Sequence, residues 1–163
     1  MDFRYIDLKD IDPNFTLLDP EFYNLRITKA EIKTYLIKDG SAAVRKGTAN
    51  VGDEGTYLNF AFTVVDHQKF TGRKHWESLF PSDFSFKCLK RIEEATGVQQ
   101  TGSMEDWLSQ LTAIGPTVKL KVDKVPDVNR DGTPNQKTMK ADGTPGEKNV
   151  VDWKAGVAPG DSQ

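Results

Sequence analysis

The sequence contains few residues suited to metal binding or covalent catalysis. Among 163 residues there is one cysteine, Cys88, and there are two histidines. A single cysteine excludes an internal disulfide and a cysteine-rich zinc site. The histidines, His67 and His75, do not have the spacing of a His-Glu-x-x-His zinc motif, and neither a nucleophile elbow nor a phosphate-binding glycine loop occurs. We therefore expect a protein that is not an enzyme and that has no cofactor and no metal site.

Long apolar runs and a strong net charge are also lacking. No stretch approaches the ~20 apolar residues of a membrane-spanning helix, and the charged residues 1–10 lack the apolar segment of a signal peptide. The 22 basic and 24 acidic residues give a net charge of -2, which argues against binding of duplex DNA mainly through phosphate neutralisation. We expect a cytoplasmic protein without a membrane partner.

Apolar periodicity predicts five strands and two helices. The strands are expected at 22–37, 56–66, 70–80, 116–125 and 149–153. A helix is expected at 83–96, with Asp83 as its N-cap, and a shorter helix begins after Ser103. Alternation in the first strand changes phase near 29–31, which indicates a bulge. Cys88 falls in the first helix, where a small buried residue is the expected role.

The order of these elements, three strands, a helical stretch and two further strands, is that of an OB-fold. We therefore predict a mainly β protein with one or two helices: a five-stranded Greek-key barrel with a helix between strands 3 and 4. Residues 1–21 are expected to form an N-terminal arm that packs on the barrel through Phe15, Leu17 and Leu18. Residues 22–154 form the OB-fold domain, and residues 155–163 a disordered tail.

The middle strands carry a candidate binding surface. The large residues of the second strand point to one side, which predicts the core, and a more polar set points to the other. In the third strand, alternation separates Arg73 and His75 from Lys74 and Trp76; the sequence leaves open whether Trp76 lies in the core or on the binding face. Aromatic planes between cationic groups are typical of single-stranded nucleic-acid binding. The candidate residues on the strands are Lys33, Tyr35, Tyr57, Asn59, Arg73, Lys74, His75 and Trp76.

Two long loops could add contacts to a phosphate backbone. The loop at 38–55 is rich in glycine and is predicted to be mobile; the loop at 126–148 is the one that joins strands 4 and 5, which clasps ligands in OB-folds. Ordinary solvated surface charge is the alternative interpretation. The candidate residues in the loops are Lys38, Arg45, Lys46, Arg130 and Lys137.

A partial calcium motif occurs in the second of these loops. The run Asp-Val-Asn-Arg-Asp-Gly (127–132) matches the first half of a calcium-binding loop. The closing acid would then fall at position 138, which is Thr138, and strands rather than helices flank the segment. We therefore interpret it as a turn rich in Asx residues and assign no metal ligands.

Several runs resemble a group of small phage proteins that look like single-stranded DNA-binding proteins with OB-folds. The runs are 23–33, 55–66, Phe-Thr-Gly-Arg-Lys-His-Trp (70–76), Ala-Thr-Gly (95–97) and Gly-Pro-Thr-Val-Lys-Leu (115–120), and the resemblance covers roughly 22–125. It implies single-stranded DNA as the partner, a role in phage replication or recombination, and a location in the cytoplasm of the host cell. A homo-oligomer and contacts with replication or recombination proteins stay open. The last six residues lack the acidic tail through which many such proteins recruit partners, so recruitment of that kind is not expected.

Sequence-independent binding of single-stranded DNA is therefore the predicted function. The alternative is a non-catalytic protein-binding or structural β-barrel module of a phage, with the same face meeting another protein. A third, weaker option is an accessory domain of an enzyme such as a nuclease. Clustering of lysine and arginine on one face would favour DNA over the alternatives.

Overall fold

The computed structural model describes residues 4, 8, 16–129 and 131–161, and it places a five-stranded antiparallel sheet against two helices. The elements in chain order are β1 (Glu21–Leu36), α1 (Ala42–Arg45), β2 (Glu54–Val65), β3 (Lys74–Leu79), α2 (Asp83–Thr96), α3 (Met104–Ile114), β4 (Thr117–Pro126) and β5 (Glu147–Pro159). The sheet order is β3-β2-β1-β4-β5. The protein is mainly β, as predicted, and the sheet is open, with β3 and β5 at its edges. No helix of the described residues is long and apolar enough to span a membrane.

Strand β1 joins the two halves of the sheet because it pairs with two partners. Its first part, from Glu21 to Arg26, pairs with β4, and the segment from Asn24 to Leu36 pairs with β2. The β1–β2 register shifts between Ile27 and Lys29, so a bulge is present slightly before the predicted position. A bulge bends the strand and increases its twist, which lets one strand serve both halves of a curved sheet.

The core lies between the inner face of the sheet and helices α2 and α3. Phe60, Phe62 and Val64 of β2 are fully buried, as their alternation predicts. Cys88 is also buried, and burial raises the pKa of its thiol. Phe86 of α2 is 57% exposed and therefore lies outside this core.

The helix ends follow local sequence signals. The hydroxyl of Ser82, one residue before the predicted cap, accepts a hydrogen bond from Ser85 N and caps α2. Ser103 caps α3, as predicted. Both helices end at a glycine in the left-handed conformation, Gly97 (φ 70°) and Gly115 (φ 62°), which residues with a Cβ adopt less readily.

Two strand ends differ from the sequence prediction. β3 begins at Lys74 because residues 70–73 form a turn, in which Arg73 N donates to Phe70 O at 3.0 Å. β5 continues to Pro159, so residues 155–159, predicted to lie in a tail, form the end of a strand. This extension pairs with β4 after a register shift between Leu120 and Lys121.

The N-terminal arm packs on β5 through Leu18, as expected. Leu18 is buried, its N–H donates to Asn149 Oδ1 at 2.9 Å, and its carbonyl accepts from Asn149 Nδ2 at 2.9 Å. Leu17 is half-buried. Phe15 lies outside the described residues.

Tyr23 is expected to make stability fall at alkaline pH. Burial, followed by the charges of Glu21 and Asp19, raises the pKa of this buried tyrosine from 10.0 to about 12. Between these values the unfolded chain loses a proton that the folded chain keeps, so the free energy of unfolding falls as pH rises. Melting temperatures of the protein and of Tyr23→Phe, measured from about pH 9 to 11.5, should show a shallower decline in the variant. Parallel declines would contradict this assignment. The variant also loses the hydrogen bond from the Tyr23 hydroxyl to Asp19 O (2.6 Å), so its curve should start lower.

Candidate nucleic-acid interface

The outer face of β1, β2 and β3, opposite the core, presents side chains in rows that cross the three strands. One row contains Lys33 and Tyr57, and the next contains Glu31, Asn59 and Ser78. The following rows contain Lys29, Ala61 and Trp76, and then Arg26, Thr63 and Lys74. Same-face neighbours along a strand are ~7 Å apart, and neighbouring strands are ~5 Å apart. The outer face therefore alternates aromatic, polar, aromatic and basic rows.

Three aromatic side chains form a cluster at one end of the outer face. Tyr57 stacks on Phe80, with ring centroids 5.4 Å apart and planes at 24°. Tyr35, which is 40% exposed, lies 6.1 Å from Tyr57 and 6.0 Å from Phe80, edge-on to the latter. Sequence reasoning missed Phe80, although alternation from Trp76 through Ser78 points to it. Because Tyr57 is half-buried in this cluster, it contributes to packing as well as to the surface.

Gly55 provides the space in which the Tyr35 ring rests. A Cβ at position 55 would lie 2.5 Å from Tyr35 Cζ and 2.7 Å from its hydroxyl oxygen, too close for the present ring position. The colliding atoms are at the end of a side chain that can rotate, so the backbone can remain in place.

Gly55→Ala is therefore expected to displace the Tyr35 ring while leaving the fold intact. If the cluster binds bases, affinity for a single-stranded oligonucleotide should fall about threefold to tenfold, a part of the ~1–3 kcal/mol carried by one stacking side chain. A melting curve and a fluorescence-anisotropy titration measure the two effects. Unchanged affinity would show that Tyr35 does not contact the strand. Thr56→Ala is a suitable control, because Thr56 is exposed and follows Gly55 in the chain. Gly40→Ala is not suitable, because Gly40 has φ 79°, a conformation that alanine adopts only with strain.

Trp76 lies on the outer face and not in the core. Its side chain is 52% exposed, which excludes the core position that the sequence left open. It is opposite Ala61 in the β2–β3 register, and Ala61 is buried although it belongs to the outer face. A small residue beside the indole leaves a large flat ring accessible at the surface.

Charge on the outer face of these three strands is mainly positive. Arg26, Lys29, Lys33 and Lys74 are exposed there. The single carboxylate in these rows is Glu31, whose Oε1 is 3.4 Å from Lys29 Nζ and 3.5 Å from Lys33 Nζ. The predicted residues Lys33 and Lys74 thus lie close to the aromatic side chains, and Lys29 and Arg26 add to them.

Arg73 and His75 are not part of this surface. His75 is 8% exposed on the core side of β3, and its Nε2 lies 2.6 Å from Glu77 Oε2. Arg73 precedes β3, donates to the carbonyl of Thr16 and lies over the Phe70 ring, 5.8 Å from its centroid. The structure therefore does not bring these two predicted residues together with Tyr57 and Trp76.

The glycine-rich loop between β1 and β2 contains backbone hydrogen bonds and a short helix. Ile37 N donates to Asp53 O and Gly52 N to Ile37 O, each at 2.8 Å, which extends the hairpin. The helix α1 follows, capped by Ser41. Lys38, Arg45 and Lys46 are exposed. Between this loop and the aromatic cluster lies a groove of about 980 Å³, lined by Tyr35, Leu36, Ile37, Lys38, Ser41, Ala42, Ala43, Tyr57, Ser78 and Phe80.

The loop between β4 and β5 is held by its own hydrogen bonds. The buried carboxylate of Asp127 accepts from Thr138 Oγ1 at 2.8 Å and Asn135 Nδ2 at 3.2 Å, and it lies 3.8 Å from Lys148 Nζ. Lys137 is exposed in this loop, and the predicted Arg130 lies outside the described residues.

Two copies of the run Asp-Gly-Thr-Pro form identical turns in this loop. In each, the threonine hydroxyl donates to the aspartate at 2.6 Å and its N–H donates at 3.0 Å. These bonds lower the pKa of Asp131 and of Asp142, and the bond from the hydroxyl has the larger effect. Both carboxylates thus act as turn caps, in agreement with an Asx-rich turn. Within the described part of the chain, no three His, Cys, Asp or Glu side chains converge as metal ligands would.

In comparisons with protein families, curated proteins and solved structures, no match to this chain was found.

Proposed function

We propose that this protein binds single-stranded DNA without strong sequence dependence and acts by covering the strand, not by chemistry on it. The observation that carries the proposal is the outer face itself: Trp76 and the cluster of Tyr35, Tyr57 and Phe80 lie between lysines on the same three strands. Exposed rings stack on bases of any identity, and the cations pair with phosphates. We propose that the protein takes part in phage replication or recombination.

The strand arrangement supports an OB-fold as the finer description of the architecture. The order β3-β2-β1-β4-β5 places strand 1 between strands 2 and 4, and the helices lie between strands 3 and 4 in the chain. An OB-fold barrel is partly open and binds oligonucleotides on the face of strands 2 and 3, beside the loops 1–2 and 4–5. We propose that the loops at 37–53 and 127–146 close over the strand on that face.

Local charge supports DNA over the alternative of a protein partner. Four cations and one carboxylate lie in the outer rows of β1, β2 and β3, although the net charge of the chain is -2. The alternative, a protein-binding module, is favoured by a different observation: Phe84 and Phe86 of α2 are 47% and 57% exposed. Large exposed rings of this kind occur at protein interfaces.

A direct titration tests the proposal. A fluorescently labelled single-stranded oligonucleotide should bind at low salt, and a duplex of the same length should bind at least tenfold more weakly, because paired bases do not offer their faces. The affinity should fall steeply as salt rises, since each neutralised phosphate releases counterions. Equal affinity for the two forms, or binding that does not respond to salt, would contradict the proposed mode. No binding to either form would favour the protein-binding alternative.

A further inference from the structure

A polar row separates the two aromatic rows of the outer face. Glu31, Asn59 and Ser78 are neighbours in register across β1, β2 and β3. Tyr57 precedes this row by two residues on β2, and Trp76 lies on its other side on β3. Because same-face residues along a strand are ~7 Å apart, a base stacked on either ring brings its polar edge within reach of the row.

One oxygen of the carboxylate in this row lies near two ammonium groups without being hydrogen-bonded. Glu31 Oε1 is shielded from solvent and, within the described part of the chain, no hydrogen bond reaches it. Its nearest charges are the ammonium groups of Lys29 at 3.4 Å and Lys33 at 3.5 Å. Lys33 lies in the row of Tyr57, and Lys29 lies in the row of Trp76. If these lysines turn to the phosphates of a bound strand, this shielded oxygen loses its neighbouring positive charge. A donor on a base can then replace that charge, since an acceptor that is shielded from water and unpaired is costly.

We propose that Glu31 gives this face a preference for bases that carry an exocyclic amino group, such as cytosine, over thymine. This inference rests on the proposed function, because it requires bases on the outer face. The amino group of cytosine donates to a carboxylate. Thymine presents carbonyl oxygens on both sides of its one ring N–H, and these oxygens repel the carboxylate. Stacking thus supplies affinity that is independent of sequence, and Glu31 adds discrimination between bases.

Oligo-dC and oligo-dT of equal length form the matched pair of probes, because both are pyrimidine strands with one ring per base. Anisotropy titrations slightly above neutral pH, where cytosine strands stay unpaired, should give about tenfold tighter binding of oligo-dC, the worth of a hydrogen bond to a charged acceptor. In Glu31→Gln the two affinities should agree to within about twofold, mostly through tighter binding of oligo-dT, because a carboxamide donates as well as accepts.

Glu94→Gln is the matched control. Glu94 is exposed on α2, so this variant makes the same change in net charge away from the sheet and should keep the tenfold ratio. Tight binding with the same dC-to-dT ratio in the protein and in Glu31→Gln would overturn the inference and leave the proposed function in place. Failure to bind either oligonucleotide would overturn both.

Discussion

Phe60→Ala is expected to lower the free energy of unfolding by ~3–5 kcal/mol. The ring is fully buried on the inner face of β2 and stacks on Phe62, with centroids 5.7 Å apart and planes at 7°. Removing the ring leaves a cavity beside β2. Because β2 is paired with β1 on one side and β3 on the other, the cavity can collapse only partly. Urea unfolding of the protein and the variant measures the difference. The urea concentration at the midpoint should fall, while the dependence of the free energy of unfolding on urea concentration should not change.

Phe60→Leu is the matched control, because it keeps most of the apolar volume and should cost clearly less than the alanine variant. At low temperature, where the variant is still folded, Phe60→Ala should bind single-stranded DNA as the unchanged protein does, since it lies on the opposite face from Trp76. A loss below about 1 kcal/mol, or weaker binding at unchanged stability, would mean that the inner and outer faces are assigned the wrong way round.

Trp76→Ala is expected to weaken binding of single-stranded DNA by ~1–3 kcal/mol, or about 5- to 150-fold, with little change in melting temperature. The indole is more than half exposed, so its loss removes a stacking surface without opening the core. Tyr57 is a less suitable test because it stacks on Phe80, and its removal also costs packing energy of ~0.5–1.5 kcal/mol.

Phe84→Ala is the control for Trp76→Ala. Phe84 is 47% exposed, similar to Trp76, but lies on α2, outside the outer face of the sheet. Its removal should leave the titration curve unchanged. Equal effects of the two substitutions would show that the strand follows another path, and an unchanged curve for Trp76→Ala would remove the indole from the binding surface.

Much of the fold follows from local patterns that the sequence displays. The alternation of Phe60, Phe62 and Val64 predicted the inner face of β2, and the span 83–96 coincides with α2. The end of β5 was not predictable in the same way. Residues 155–159 include alanine and glycine, which have low strand propensity, and they extend the strand because β4 offers partners beyond a register shift.

The sequence predicted the placement of some of the candidate residues, and the errors of the prediction have local physical causes. Trp76 is large and apolar, so composition alone favours the core, whereas its position opposite Ala61 on the outer face is a matter of register. Arg73 was assigned by extending the alternation of β3 backwards, but the turn at 70–73 interrupts the strand. Phe80 was overlooked because Pro81 marks the end of the strand. For Trp76 the decisive information is the register of strand pairing, and for Arg73 and Phe80 it is where the strand begins and ends.

The double pairing of β1 has a consequence for the way the chain folds. Strands β1, β2 and β3 follow one another and can pair through local hairpins, but Glu21 must find Val122, which lies far along the chain. Contacts between distant residues slow folding, because the entropy of closing the intervening chain is lost before the contact forms. During synthesis, one edge of β1 stays unpaired until β4 and β5 leave the ribosome. We therefore expect docking of the β4–β5 hairpin onto β1 to be the slow step of folding, and chains truncated before β4 to aggregate through that edge.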